Sequence, residues 1–321
     1  MKKCLAAFLA IFLLFHGIAF AETVVTSFYP IYLFVRNLCD GIPEITVRNL
    51  AAPDFGCLHD YQLTVSDMKA LSRADVFCVN GAGMEEYLVH VYEALPELRV
   101  VDASEGPAEV LLLDDDGDPL EHDHDDDDHE DDHDEDHHEE HGHHHHDMNP
   151  HIWMSAANAA AMVRNLSEGL CEMMPQYETA IRQNCAETVE RLEKLDNELR
   201  AGLADLPSRD IVTFHEAFPY FAQAYGLNVV AVMAVEPGDS LNPREMMDLV
   251  YTERELGYPP LFTEPQYDSP IAQTIADETE AAIYQLDPCV TGPEDPPLTY
   301  YEDVMHENLR ILLEALGGDQ P

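Results

Sequence analysis

Positive charge is scarce in this sequence: 16 Lys and Arg stand against 63 Asp and Glu in 321 residues, a formal net charge of −47. A surface of that sign repels phosphate backbones and anionic headgroups, which excludes nucleic acid and acidic lipid as partners and favours cations. After the first twenty residues no apolar run reaches the roughly 20 residues that span a bilayer. No Cys-x-x-Cys pair occurs among the seven cysteines, so a four-cysteine zinc site has no local support. Gly81-Ala82-Gly83 lacks the third glycine of a dinucleotide loop and reads as a turn. The pair His215-Glu216 is followed by Pro219 where an HExxH helix needs its second histidine, which removes the signature of a zinc hydrolase.

The N-terminus has the layout of a secretory signal. Lys2 and Lys3 precede the apolar run Leu5 to Phe15, and Ala19-Phe20-Ala21 is a small-x-small cleavage site that leaves Glu22 first. Cys4 precedes the apolar run, whereas a lipoprotein signal places its cysteine after it. Six cysteines follow the signal, an even number that permits disulfide bonds in an oxidising compartment. Cys171 and Cys185 are the nearest pair; for Cys78, in an apolar strand, a buried free thiol is an equally good reading.

Hydrophobic residues make up 46% of the chain, enough for two cores. Expected strands at Thr23–Ser27, Ile45–Leu50, Ala74–Val79 and Arg99–Asp102 alternate with expected helices at Ile31–Leu38, Ser66–Leu71 and Met84–Leu95. The same rhythm returns in strands at Asp210–Phe214, Asn228–Val235, Pro260–Glu264 and Ala282–Leu286. Between and after them lie expected helices at Phe218–Tyr225, Pro243–Leu256, Ile271–Thr279 and Tyr300–Leu316. Strand and helix in alternation imply parallel sheets, so the fold class is α/β with two Rossmann-like lobes. Two helical stretches, Ser155–Met173 and Tyr177–Leu199, separate the lobes, and the first reads as a rigid link. The expected organisation is a signal (1–21), an N-terminal lobe (22–154), a linking helix (155–174) and a C-terminal lobe (175–321).

One segment, Asp114 to Asp147, stands apart. It holds 19 of the 63 acidic residues, 11 of the 17 histidines and no Lys or Arg. It has too little apolar surface to fold and reads as a disordered loop. Its imidazoles (His122, His124, His129, His133, His137, His138, His141, His143, His144, His145 and His146) can hold cations weakly, because each binding event must order a flexible chain. A plain solvated spacer is the alternative.

Five histidines remain outside the tract and the signal. His90 and His306 lie on expected helices and read as surface residues. His59, His151 and His215 lie in loops beside strand ends, where open α/β sheets bind their ligands. Imidazole suits zinc, and Asp287, after the strand ending at Leu286, is the best-placed fourth donor. Taken singly, each of these histidines reads equally well as a core or surface residue.

The surrounding motifs carry a resemblance. His59-Asp60-Tyr61-Gln62 with Ser66-Asp67, Asn149-Pro150-His151-Ile152-Trp153, Phe214-His215-Glu216-Ala217-Phe218 with Tyr220-Phe221, Phe262-Thr263-Glu264-Pro265-Gln266 and Leu286-Asp287-Pro288 occur in that order. Together they resemble the cluster A-I solute-binding proteins, the zinc and manganese subunits of ABC transporters. The resemblance implies His59, His151 and His215 as ligands to Zn2+, Asp287 as the fourth, two lobes bridged by one rigid helix, and an acidic His-rich loop. It also implies delivery of the ion to a membrane permease from the periplasm or outer cell surface, by a monomer without enzymatic activity. A histidine at 215 favours zinc over manganese, which prefers oxygen donors. Glu216 is a candidate to orient an imidazole. The sequence departs from the family at Leu58, Ala156 and Cys289. The rival functions are an extracellular metal buffer or adhesin, a manganese-binding relative, and more remotely a zinc hydrolase.

Overall fold

Parallel strands rich in β-branched residues build two four-stranded sheets. A computed structural model of the chain describes residues 21–53, 61–113, 148–233, 242–266 and 270–318. The expected signal segment, the loop bearing His59 and the whole Asp114–Asp147 tract lie outside the described residues.

The first sheet is formed by β1 (Glu22–Thr26), β2 (Ile45–Asn49), β3 (Val76–Val79) and β4 (Val100–Asp102), in the order β2-β1-β3-β4. Val24 pairs with Val47 on one side and Val76 on the other, so the centre of the sheet is apolar on both faces. The crossovers carry α1 (Tyr29–Leu38), α2 (Val65–Leu71) and α3 (Leu88–Ala94). Pro30 opens α1, where its fixed φ suits the first turn, and the helix buries Ile31, Leu33, Phe34, Val35 and Leu38. The cap of α2 is Thr64, so the helix starts one residue before the expected Ser66. The Thr64 hydroxyl accepts from the Asp67 N–H, and the Asp67 carboxylate accepts from the Thr64 N–H at 2.7 Å. The helix expected from Met84 begins only at Leu88. The Glu85 carboxylate folds back to accept the N–H groups of Asn80 and Gly81 at 2.7 and 3.1 Å, which commits that stretch to a turn. Gly81 is required there: its φ is +78°, and a Cβ would lie 1.9 Å from the Asp102 carboxylate.

Two helices connect the sheets. The first, α4 (Ala156–Met173), starts at a Ser155 cap and lies on the first sheet, against β3 and β4. Its buried Asn165 bonds to the backbone of Ala103 and Ala108, a structural role for what looks like a glycosylation sequon. After a turn at Pro175 comes α5 (Glu178–Leu203), 26 residues and about 39 Å long. It packs on α1 and α4 of the first lobe and on helices of the second. Both helices reach the second lobe: the Ala156 N–H at the start of α4 donates to the Tyr225 hydroxyl at 3.1 Å, and α5 packs on helices of both lobes.

The second sheet repeats the first. It comprises β5 (Asp210–Thr213), β6 (Asn228–Val232), β7 (Leu261–Thr263) and β8 (Ile283–Gln285), in the order β6-β5-β7-β8, all parallel. Its helices are α6 (Pro219–Tyr225), α7 (Pro243–Leu256), α8 (Pro270–Thr279) and α9 (Tyr300–Leu316). Both sheets reverse direction of growth between their two central strands, and a crevice opens at the carboxyl ends of such strands.

The cysteines depart from expectation. Cys39, Cys78, Cys171, Cys185 and Cys289 are all free thiols, so no disulfide forms among the described residues. The Cys171 and Cys185 sulfurs instead approach the carbonyls of Glu178 and Val163, each at 3.9 Å. Burial pushes the Cys39 thiol up to about 12 and suppresses the thiolate that disulfide exchange requires.

Candidate metal centre

His151 and His215 arrive from opposite sides of the crevice and meet. His215 follows β5 after Phe214, at the second sheet's reversal point. His151 precedes a short 3-10 turn, Ile152–Met154, that leads into α4. Both side chains are buried. Their ring centroids are 4.9 Å apart and the planes stand at 84°. Trp153, fully buried, closes one side with its ring centroid 5.2 Å from that of His151.

A hydrogen bond orients each ring. Asn149 Nδ2 donates to the Glu216 carbonyl at 3.0 Å, which turns Asn149 Oδ1 toward His151 Nδ1, also at 3.0 Å. The amide oxygen can only accept, so the proton sits on Nδ1 and the lone pair on Nε2. Across the crevice His215 Nδ1 lies 2.9 Å from Glu264 Oε1. The other Glu264 oxygen accepts from Gln266 Nε2, and Glu264 is buried at the end of β7. Both imidazoles therefore present Nε2 as the donor atom. That tautomer suits a metal ion, and the supporting acceptor raises ligand basicity.

Asp287 lies beyond the end of β8. Its backbone N–H donates to Asn308 Oδ1 at 2.8 Å and its carbonyl accepts from Asn308 Nδ2 at 2.7 Å, which pins the turn to α9. Burial pushes its carboxyl up to about 6; the Cys289 N–H, donating to Oδ1 at 2.7 Å, opposes that rise, and the charge of Glu264 adds to it. The two carboxyl groups thus feel each other within one crevice.

The structure brings His151 and His215 together and sets Asp287 in electrostatic range of Glu264, the partner of His215. Among the described residues no group of three or more His, Cys, Asp or Glu side chains is gathered closely enough to hold an ion. His59 lies in the 54–60 segment outside those residues. Its neighbour Tyr61 donates to Asp67 Oδ2 at 3.0 Å, which ties the downstream end of that segment to the cap of α2. The tract residues His122 through His146 are likewise outside the description, but their flanks are placed. The Asn149 N–H donates to the Leu113 carbonyl at 3.0 Å, so the tract leaves and returns at one point, two residues from His151. A cavity of about 930 Å³, lined by Glu85, Asp102, Glu105 and Glu109 among others, adjoins that point at Met148. His90 and His306 are exposed, as expected, and His306 pairs with Glu198 at 2.9 Å.

Glu216, the expected orienting carboxylate, is exposed and contributes only its carbonyl. Glu264 and Asn149 hold the rings instead. Both stand inside motifs quoted above, and Glu264 is 49 residues from the ring it holds, so no local spacing links them.

Residues 24–315 match the family described as "Zinc-uptake complex component A, periplasmic". The chain is 28% identical over 291 residues to zinc-binding protein AdcA of Streptococcus pyogenes serotype M3, covering 90% of this chain and 55% of that relative. It thus spans about half the length of the streptococcal proteins it matches. It is also 28% identical over 298 residues to the high-affinity zinc uptake system protein ZnuA of Bacillus subtilis, covering 91% of this chain and 87% of that one. The crystal structure of Zn(II)-bound AdcA from Streptococcus pneumoniae superposes with a TM-score of 0.74 at 21% identity, over 94% of this chain and 59% of that one, which shows a shared fold. With nine-tenths of its length matched and the same two-sheet architecture, this chain belongs to the family of periplasmic component A proteins of zinc-uptake complexes.

Proposed function

We propose that the chain captures Zn2+ outside the cytoplasm and delivers it to the membrane permease of an ABC transporter. The observation that carries this reading is the His151–His215 pair, two buried rings meeting at 4.9 Å between centroids with each Nδ1 held by an acceptor. Two neutral imidazoles from different lobes favour zinc over harder cations. We take His59 and Asp287 as the remaining donors, Asp287 held in place by Asn308. Family membership and the zinc-binding relatives support the choice of metal and of partner.

Capture is ligation without turnover. A hydrolytic zinc keeps an open coordination position and a general base beside it. Here the Glu264 carboxylate on His215 has its two oxygens engaged by His215 and Gln266. The His-rich tract, anchored beside His151, serves as a weak antechamber that raises the local zinc concentration. The working unit is a monomer docked on the permease.

Calorimetric titration of the metal-free chain with Zn2+ tests the proposal. One tight site per chain is expected, lost in His151→Ala and in His215→Ala. Equal affinity in the wild type and both variants contradicts it.

A further inference from the structure

The segment between Asp287 and α9 belongs to the second lobe by sequence, yet it lies along the first. It contains Pro288, Pro293, Pro296 and Pro297, so it lacks the N–H groups that would let it join a sheet, and its carbonyls need donors from elsewhere. One polar stripe of α1 supplies them. The Tyr29 hydroxyl donates to the Pro293 carbonyl at 2.9 Å, Arg36 to the Pro296 carbonyl at 2.7 Å and to the Asp295 carboxylate at 2.8 Å, and Asn37 to the Leu298 carbonyl at 3.0 Å. These positions fall one helical face apart, on a helix otherwise buried as apolar core. Gly292 lies so close to Tyr29 that a Cβ would stand 2.2 Å from its hydroxyl, and its N–H donates to the Pro53 carbonyl at 3.0 Å. The strap therefore grips the first lobe at Pro53, where the 54–60 segment begins.

At its other end the strap begins with a strained turn. Cys289 has φ +61°, a left-handed conformation that a side chain disfavours. Its N–H holds Asp287 Oδ1, while Trp153 Nε1 donates to the intervening Pro288 carbonyl at 2.7 Å. A turn of that kind persists only when both of its ends are fixed. Asn308 fixes the upstream end, and the strap fixes the downstream end.

We infer that Tyr29 and Arg36 are positioning residues for metal binding: by holding the proline-rich strap on α1 they set where the Asp287 carboxylate stands relative to the first-lobe donors. This rests on the zinc-capture reading, with Asp287 as a ligand. Neither side chain touches the metal. They act on the geometry of capture, and through it on how long the ion is retained.

The test uses the full chain with Tyr29→Phe, Arg36→Met and the double variant. Asn184→Ala serves as the control, since it removes two bonds to the carbonyls of Leu38 and Asp40 just past the strap's footprint. Zinc release is followed by transfer to a chromophoric chelator, and coordination geometry by the visible d–d spectrum of the Co2+-loaded protein. The double variant is expected to release zinc roughly tenfold faster and to shift the Co2+ bands, with the control matching the wild type in both readouts. Wild-type release and an unchanged Co2+ spectrum in a folded double variant overturn the inference. If the double variant fails to fold, Tyr29→Phe alone decides, because it removes only a hydroxyl. A wild-type chain without a tight zinc site overturns the zinc reading and this inference with it; a tight wild-type site indifferent to the strap variants overturns this inference alone.

Discussion

Glu264 holds His215 by a 2.9 Å hydrogen bond at Nδ1, with both side chains buried at neighbouring strand ends of the second sheet. That contact fixes the orientation of the ring. A ring left to rotate would have to be ordered at each capture, and affinity would fall by the freedom lost.

Glu264→Gln is therefore expected to weaken zinc binding about tenfold while leaving one site per chain. The substituted amide can satisfy either His215 or Gln266 as an acceptor, but no longer both, since one of its two heads has become a donor. A competition titration against a chelator of known affinity measures the change. Unaltered affinity would mean that the imidazole is oriented by other contacts.

Zinc affinity is expected to fall with acid. Protonated imidazole has no lone pair for the metal, and Asp287, raised to about 6 by burial, takes up its proton in the same range. Binding then displaces protons below pH 7, and few above it. Affinity is expected to hold between pH 8 and 7 and to drop at least a hundredfold by pH 5.5, measured by titration in buffers of matched ionic strength. A flat profile would contradict ligation by these groups.

Glu253 carries a separate prediction, about stability. It lies on α7 in line with Met246, Leu249 and Val250, is fully buried, and among the described residues neither of its carboxylate oxygens has a hydrogen-bond partner. Burial pushes its carboxyl from 4.5 to about 7. Between those values the unfolded chain has lost the proton that the folded chain keeps, so stability declines as pH rises through the window and levels off above 7. Glu253→Met removes that decline. Urea unfolding of the metal-free protein should show a gain on the order of 2 kcal/mol at pH 8 and little or none at pH 4.5. Destabilisation at pH 8 would show that the carboxyl has a structural role.

Removing 114–147 should lower the number of zinc ions bound per chain while one tight site remains. The Leu113 carbonyl already meets the Asn149 N–H at 3.0 Å, so a short turn can close the gap without moving His151. Equilibrium dialysis followed by elemental analysis reads both quantities. Loss of the tight site on deletion would place the ligands in the tract.

Strand positions are legible in the sequence because parallel central strands must be apolar on both faces. Val24-Val25 and Val76 to Val79 can hardly sit elsewhere. The convergence of His151 and His215 is legible for a related reason: each follows or precedes an element whose end must reach the crevice. What a periodicity argument cannot see is side-chain reach. Glu85 reaches back five residues to Asn80 and unmakes a helical turn, and Thr64 caps α2 because it stands three residues before Asp67. How α4 and α5 share the contacts between the lobes is not legible either, because both have a buried stripe. Glu264 is missed because its partner is distant along the chain, while Glu216, adjacent to His215, is exposed.

X-ray absorption at the zinc K-edge, on the full chain loaded with one equivalent, tests the central claim most directly. Three imidazoles and one oxygen at about 2.0–2.1 Å are expected, with that shell lost in a His59→Ala, His215→Ala double variant. A sulfur shell near 2.3 Å, or a wild-type spectrum with fewer than two imidazoles, would contradict it.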